Sequence, residues 1–394
     1  MTASTSPGTH SPDGRPRARG LGLDFDGTPG RFNAITDVPG LEVGYRTLIA
    51  GDGPLVDGKG PVRTGVTAIL PRGRPGVGVP CAAGTYSFNG NGELTGRAWI
   101  DEAGMLAMPI ALTSSHAVGA CHQGIDQWVH RHRPDLSARW MLPVVGETWD
   151  GYLNDINGGH VQPADAGMAI DAATSGPIEE GSVGGGTGMN CYAFKGGSGT
   201  ASRTIAHGGE RYTVGVFIQA NFGSRRELRL AGMPLGRDSC APNPMEGTDW
   251  LVQDGRPHRA PGGAGSAIIV IATDAPLLPG QCAALARRAP LGLARTGTAG
   301  SHFSGDIALA FSTANPGSLT SSIPAHRATR DDYESLAFIP WGYIDPFYTA
   351  VVEAVEEAVA NALVVNQDMT GRDGHFSPAL PHEEIVAALG RRAG

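Results

Sequence analysis

The sequence predicts one α/β domain whose sheets draw strands from both sides of residue 265. Three observations lead there. Strand-like and helix-like stretches alternate before and after an irregular segment at 234–265. Neither half has enough apolar periodicity to complete a core alone. And 41% of the 394 residues are hydrophobic, enough for a large shared interior.

In chain order, "FNAITDVPGLEVGYRTLI" reads as strand, turn, strand, and "RTGVTAILPR" as a further strand. "WIDEAGMLAMPIALTSS" combines a short helix with a buried strand. "HAVGACHQGIDQWVHRH" has helical spacing, with Val118, Cys121, Ile125 and Val129 on one face. "MLPVVGETWDG" is a strand that runs into a loop, and "RYTVGVFIQANFG" is a strand ending at Asn221 and Gly223. Residues 234–265 are rich in Pro, Gly, Asp and Arg and predict a loop of about thirty residues, a length that is usually functional or disordered. Order returns with "SAIIVIATDA", a strand. "PGQCAALARRAPLGLART" predicts a proline-led helix, "GDIALAFSTAN" a strand, and "DPFYTAVVEAVEEAVANALVVNQ" a long amphipathic helix.

Bulk composition excludes several classes. Net charge is −8 and no basic run of five residues occurs, so nucleic-acid binding is not expected. No 18-residue apolar run occurs, so neither a membrane span nor a membrane partner is expected. Residues 1–20 lack the apolar stretch of a signal peptide and are expected to be a disordered leader, with 21–394 as a single domain. Five scattered cysteines, with no CxxC pair, argue against a disulfide framework or a zinc site and suit a reducing, cytoplasmic setting. The 59 glycines, about twice the usual ~7%, indicate many tight turns and close backbone approaches.

Most candidate motifs carry little chemistry. "VGGGTGMNC" has no Walker lysine and no ribose-binding acid, so it reads as a structural or substrate-pocket turn and not as a nucleotide cradle. His116 in "TSSHAVG" and His302 in "SHFSGD" lack metal-ligand spacing; no metal and no cofactor are expected. No GxSxG elbow surrounds any serine of interest. One junction stands out. Gly265 and Ser266 stand where the long loop meets a buried strand. A serine there is either a strand cap or a nucleophile released as a new chain terminus, with its own α-amine as base. An unhindered glycine carbonyl in an exposed segment suits cleavage directly before the serine.

The ordered set "FNAITDVPGLEVG", "RTGVTAILPRG", "NGNGELTG", "ETWDGYLNDINGGHV", "GSVGGGTGMNCYAFKGGSGTASR", "IQANFG", "GSAIIVIATDAPL", "LARTG", "SGDIALAFSTAN" and "EAVANALVVNQDMTGRDG" resembles the L-aminopeptidase/D-Ala-esterase/amidase family, which includes the β-peptidyl aminopeptidases. The resemblance runs from about residue 20 to 375. It implies a four-layer α/β/β/α sandwich, similar to the N-terminal nucleophile hydrolases, with the connectivity shared with the ornithine acetyltransferases. It implies self-cleavage between Gly265 and Ser266 into chains 1–265 and 266–394 that stay associated, and a homo-oligomer, a tetramer by resemblance. Ser266 would be the nucleophile, Ser304 its hydrogen-bonding neighbour, Asp306 the orienting carboxylate and Asn221 an oxyanion donor. Some relatives carry Glu in place of Asp306. Glu147 would receive the substrate's free amine. Relatives place a tyrosine two positions after this glutamate; here Trp149 stands there, with Tyr152 close by, and either could complete the substrate site. The implied activity is release of small N-terminal residues (Gly, L-Ala, D-Ala or β-amino acids) from peptides, amides or esters with a free amine. Acyl transfer of the ornithine acetyltransferase kind is the alternative.

Overall fold

The computed structural model describes residues 8–137 and 141–393. In chain order its main elements are β1 (Glu42–Ala50), β2 (Val62–Leu70), β3 (Cys81–Ser87), α1 (Arg97–Ala103), β4 (Met105–Leu106), β5 (Ile110–Ser114), α2 (Val118–His132), β6 (Val144–Thr148), α3 (Pro163–Asp171), β7 (Gly197–His207), β8 (Glu210–Asn221), β9 (Gly265–Thr273), α4 (Pro279–Ala286), α5 (Ala289–Arg295), β10 (Ser304–Ser312), α6 (Asp345–Val364) and α7 (His382–Ala393).

The strands form two main sheets. One has the order β1-β2-β5-β6 and the other β4-β3-β10-β9-β8-β7. Side chains alternate between faces with a period of two, and this alternation sorts the molecule into four layers. Val66, Ala68, Ala111 and Val145 face outward from the smaller sheet onto Cys121, Ile125 and Val129 of α2 and Ala166 and Ile170 of α3. Their neighbours Ile69, Leu112 and Val144 face inward, against Phe217, Ile268, Val270, Leu309 and Phe311 of the larger sheet. On the far side of that sheet, Val216, Ile218, Ile269, Ile271, Ala308 and Ala310 meet α4, α5 and α6 through Leu285, Leu293, Val351, Val355 and Val359. The result is the α/β/β/α sandwich. β9 and β10 are buried on both faces, which is why "AIIVIA" is continuously apolar and not alternating.

β3, β4, β7 and β8 precede residue 265, whereas β9 and β10 follow it. β9 is inserted between β8 and β10, antiparallel to the first and parallel to the second. The two sides of the Gly265–Ser266 junction therefore share one sheet and one core.

Four local expectations are corrected. Residues 8–20 are not a disordered leader. Arg17 is buried with Glu180 at 2.7 Å and donates to the carbonyls of Asn33 and Thr200, while the Ala18 N–H donates to Asn361 Oδ1. A hydrophilic composition hid this anchor because it works through charge and main-chain bonds. Residues 32–37 form no strand; a 3-10 turn at Ile35–Asp37 leads into β1. The loop at 234–265 contains two single-turn helices, Leu235–Asp238 and Pro244–Gly247, and a hairpin pairing Leu251–Gln253 with Arg256–His258. The helix expected over 279–296 is two, α4 and α5, because Pro290 cannot continue the hydrogen-bond ladder.

Candidate active site

Sheet register brings the serine junction together with its neighbours. Asn221, the last residue of β8, is the register partner of Ser266 on one side. On the other side Gly265 pairs with Ser304, Ser266 with Gly305 and Ala267 with Asp306. Asn221, Ser266, Ser304 and Asp306 are all buried. In the continuous chain the Ser266 hydroxyl donates to the carbonyl oxygen of Gly265, 2.6 Å away. Ser304 Oγ donates to Asp306 Oδ1 at 2.7 Å, so in this state its hydroxyl proton serves the carboxylate and not Ser266. Burial raises the Asp306 pKa, and the donors Ser304 and Asn89 partly offset this.

The Asn221 side chain has a fixed orientation. Its Oδ1 accepts from the Asn190 N–H at 2.8 Å and its Nδ2 donates to the Trp149 carbonyl at 2.9 Å. An amide nitrogen carries two hydrogens, so one remains for a second acceptor. Asn190 begins a tight hairpin with Lys195, whose buried ammonium donates to the carbonyls of Met189 and Gly196, both at 2.7 Å. Burial pushes the Lys195 pKa down to about 7.

Glu147 comes from the other sheet. β6 carries it to the end of the inner layer, where it is buried. Oε1 accepts from the Glu93 N–H at 2.8 Å, and Oε2 accepts from Ser115 Oγ. Burial raises its pKa, with those two donors opposing the shift. The segment 88–94 links it to the serine strand. A Cβ on Gly92 would lie 2.9 Å from the Gly305 Cα and 3.3 Å from Glu147 Oε1. Glu147 therefore stands one backbone away from the residue paired with Ser266.

The two aromatic candidates differ. Trp149 contributes its carbonyl to Asn221, and its indole stacks on Trp250 with centroids 6.0 Å apart. Tyr152 is buried; its hydroxyl donates to the Phe376 carbonyl at 3.2 Å and its ring stacks on His375 at 4.7 Å. Its hydroxyl is thus engaged by the 376 segment and not by the serine strand. His116 bonds Asn157 at 2.9 Å, next to the Ser115 that serves Glu147. His302 is exposed against the Phe303 ring.

Sequence reasoning missed three supporting groups. Asn89 and the Glu93 N–H lie within "NGNGELTG", a stretch whose sequence points to no role for either. Ser115 follows the end of β5 and carried no sequence signal, since its partner lies 32 residues away. Among the described residues, no cluster of three His, Cys, Asp or Glu side chains is arranged to hold a metal, and no helix is long and apolar enough to cross a membrane.

Comparison with known proteins identifies relatives of the whole chain. The model of peptidase family S58 matches residues 33–377. Beta-peptidyl aminopeptidase BapA of Sphingosinicella microcystinivorans is 46% identical over 374 residues, covering 95% of this chain and 92% of that protein. The protein of the same name from Sphingosinicella xenopeptidilytica is 44% identical, covering 96% and 92%. The solved structure of an L-aminopeptidase D-Ala-esterase/amidase from Ochrobactrum anthropi, described as a variant of the Ntn hydrolase fold, superposes with a TM-score of 0.85 at 41% identity, covering 96% of this chain and 99% of that one.

Proposed function

The chain belongs to peptidase family S58 and is an aminopeptidase, and we propose that it makes its own nucleophile by cutting the Gly265–Ser266 bond. The observation that carries the proposal is the placement of the Ser266 hydroxyl 2.6 Å from the Gly265 carbonyl oxygen, between Asn221 and Gly305 in one sheet.

In the cut, Ser266 Oγ adds to the Gly265 carbonyl carbon. Negative charge develops on the carbonyl oxygen, and the second hydrogen of Asn221 Nδ2 is the donor we assign to it. The C–N bond breaks, the Ser266 nitrogen takes the proton that Oγ gave up and becomes an α-amine, and Gly265 is left as an ester on Oγ. Water hydrolyses the ester, giving a Gly265 carboxylate and a free Ser266 hydroxyl. In turnover the α-amine, ordinarily of pKa about 7.7–8.0, takes the proton of Oγ. Oγ attacks the substrate carbonyl, Asn221 stabilises the oxyanion, and the proton passes to the leaving amine. An oxyanion donor of this kind is worth about 3–4 kcal/mol. Ser304 turns between Asp306 and the new α-amine, with the Asp306 carboxylate holding the pair oriented. Water then releases the acyl group.

Glu147 receives the substrate's ammonium, which restricts turnover to free N-termini. Trp149 is the aromatic candidate we assign to the substrate wall, because its main chain is bonded to Asn221; Tyr152 supports that wall from behind through His375 and Trp250. The substrates are peptides, amides or esters beginning with small residues, β-amino acids included, in keeping with the names of the relatives. The cut chains stay associated because β8, β9 and β10 share one sheet. A homo-oligomer is supported by Ile323, Tyr333, Trp341 and Tyr343, large apolar residues exposed along one segment. Acyl transfer is not favoured: the relatives are peptidases.

The test combines intact mass with a release assay. Active protein should consist of fragments 1–265 and 266–394, and should release p-nitroaniline from alanine p-nitroanilide without an added acyl acceptor. A single full-length species with full activity would refute the proposal.

A further inference from the structure

The segment between β3 and α1 crosses β10, the strand of Ser304 and Asp306, in close contact. A Cβ on Gly305 would meet the Asn91 carbonyl oxygen at 2.4 Å and the Gly92 Cα at 2.5 Å. The strap is bonded to β10 along its length: the Phe88 N–H donates to the Asp306 carbonyl at 2.9 Å and the Asn91 N–H to the Ser304 carbonyl at 3.3 Å. Its far end gives the Glu93 N–H to Glu147. One short segment thus touches both carboxylates of the site.

Within it, Asn89 makes a reciprocal pair with Asp306. Its Nδ2 donates to Asp306 Oδ2 at 2.8 Å, and its Oδ1 accepts the Asp306 N–H. The same Nδ2 also donates to the Ser301 carbonyl at 3.2 Å. Asp306 Oδ1 is held by Ser304. Each carboxylate oxygen therefore has one side-chain donor, and Asn89 supplies the one that Ser304 does not. Without it, Oδ2 of a buried carboxylate would lose its side-chain donor and the rotation of the carboxyl group about its Cβ–Cγ bond would be less restrained.

We infer that Asn89 is a positioning residue for the hydrolytic reaction, acting through Asp306 to hold Ser304 toward the Ser266 terminus. The inference rests on the proposed roles of Ser266, Ser304 and Asp306. Asn89 does not touch the substrate; it fixes the carboxylate's rotation and opposes the upward shift that burial imposes on its pKa. The groups that face Asp306 are few. From β9 comes the Ala267 main-chain N–H, from β10 Ser304, from the strap Asn89, and from the 190–191 strand the Cys191 thiol, which burial holds protonated. After the cut the Ser266 α-amine joins them.

Two variants of the processed enzyme test this with alanine p-nitroanilide. Asn89→Leu keeps the volume and removes both bonds; kcat should fall about tenfold or more while KM stays within about twofold. Asn89→Asp keeps the acceptor for the Asp306 N–H but sets carboxylate against carboxylate. Such a pair shares a proton and loses it as pH rises. Its kcat should be about tenfold below wild type near about pH 8, and the ratio to wild type should recover toward about pH 6. A role in stability alone would not produce that recovery. If Asn89→Leu fails to fold, Asn89→Asp decides: a ratio that is flat with pH overturns the inference, as does a kcat within about twofold of wild type in both variants. Ser266→Ala assayed alongside separates the two levels. If it is active, the underlying roles are wrong; if it is inactive while both Asn89 variants behave as wild type, only the Asn89 inference fails.

Discussion

Gly265 and Asn221 lie against each other so closely that a Cβ on Gly265 would stand 1.8 Å from the Asn221 carbonyl oxygen and 3.3 Å from its Nδ2. Gly265 also has φ +155, a conformation that side chains rarely adopt. The carbonyl proposed to be cut therefore belongs to a residue that must be glycine, and the residue proposed to stabilise its oxyanion is the neighbour whose backbone carbonyl forbids anything larger.

It follows that Gly265→Ala should accumulate as a single chain. The methyl group must displace either the end of β8, which holds Asn221, or the start of β9, which holds Ser266, and either shift spoils the attack. Intact-mass spectrometry over time reads the result. Cleavage at the wild-type rate would show that the close approach has no part in processing.

Exchange of the nucleophile separates chemistry from folding. Ser266→Ala removes the hydroxyl that bonds the Gly265 carbonyl and nothing else, so the variant should fold, remain 394 residues long and release no product. Ser266→Cys should still cleave, since a thiolate is a good nucleophile. Amide hydrolysis by Ser266→Ala would place the chemistry on another residue.

How much of this was legible in the sequence depends on the range of each signal. β9 and α6 were readable because their apolar patterns are local and long. The serine junction was readable as a composition change, and its partners Asn221, Ser304 and Asp306 came from resemblance, because register across three strands leaves no trace in any one of them. The Arg17–Glu180 pair and the Asn89–Asp306 pair were not readable. Their members lie 163 and 217 residues apart and each looks, alone, like an ordinary polar surface residue. The helix expected across 279–296 failed for a smaller reason: Pro279 starts a helix, but Pro290 within the same stretch starts a second one.

The N-terminal segment should matter for stability. Arg17 and Glu180 are both buried, and burial alone raises the Glu180 pKa while Arg17 opposes it. Arg17→Ala would leave a carboxylate inside the protein without its cation, a change that costs on the order of 3–5 kcal/mol. The melting temperature should drop by several degrees, whereas changes at the exposed Arg31 should have almost no effect. Equal melting curves for Arg17→Ala and wild type would contradict the anchoring role.

Selectivity should rest on Glu147. Its carboxylate is buried with donors on both oxygens, and a substrate ammonium brought beside it would form a charge-assisted contact, stronger than a neutral hydrogen bond. Burial raises its pKa, so its charge is lost at a higher pH than for an exposed glutamate. As pH falls through that raised value the group takes up a proton, the ammonium loses its partner, and KM for free-amine substrates should rise. Glu147→Gln keeps the shape, removes the charge and should lower kcat/KM on alanine p-nitroanilide by about tenfold or more, a loss of about 1.4 kcal/mol or greater. The acid-side rise in KM should disappear with it. Self-cleavage should persist, because the Gly265–Ser266 bond presents no free amine. If Glu147 only braces the chain at Ser115 and Glu93, the substitution should instead weaken stability and processing together and leave the ratio of rates on free and N-acetylated substrates unchanged. That ratio, measured on processed wild type and processed Glu147→Gln, separates the two roles.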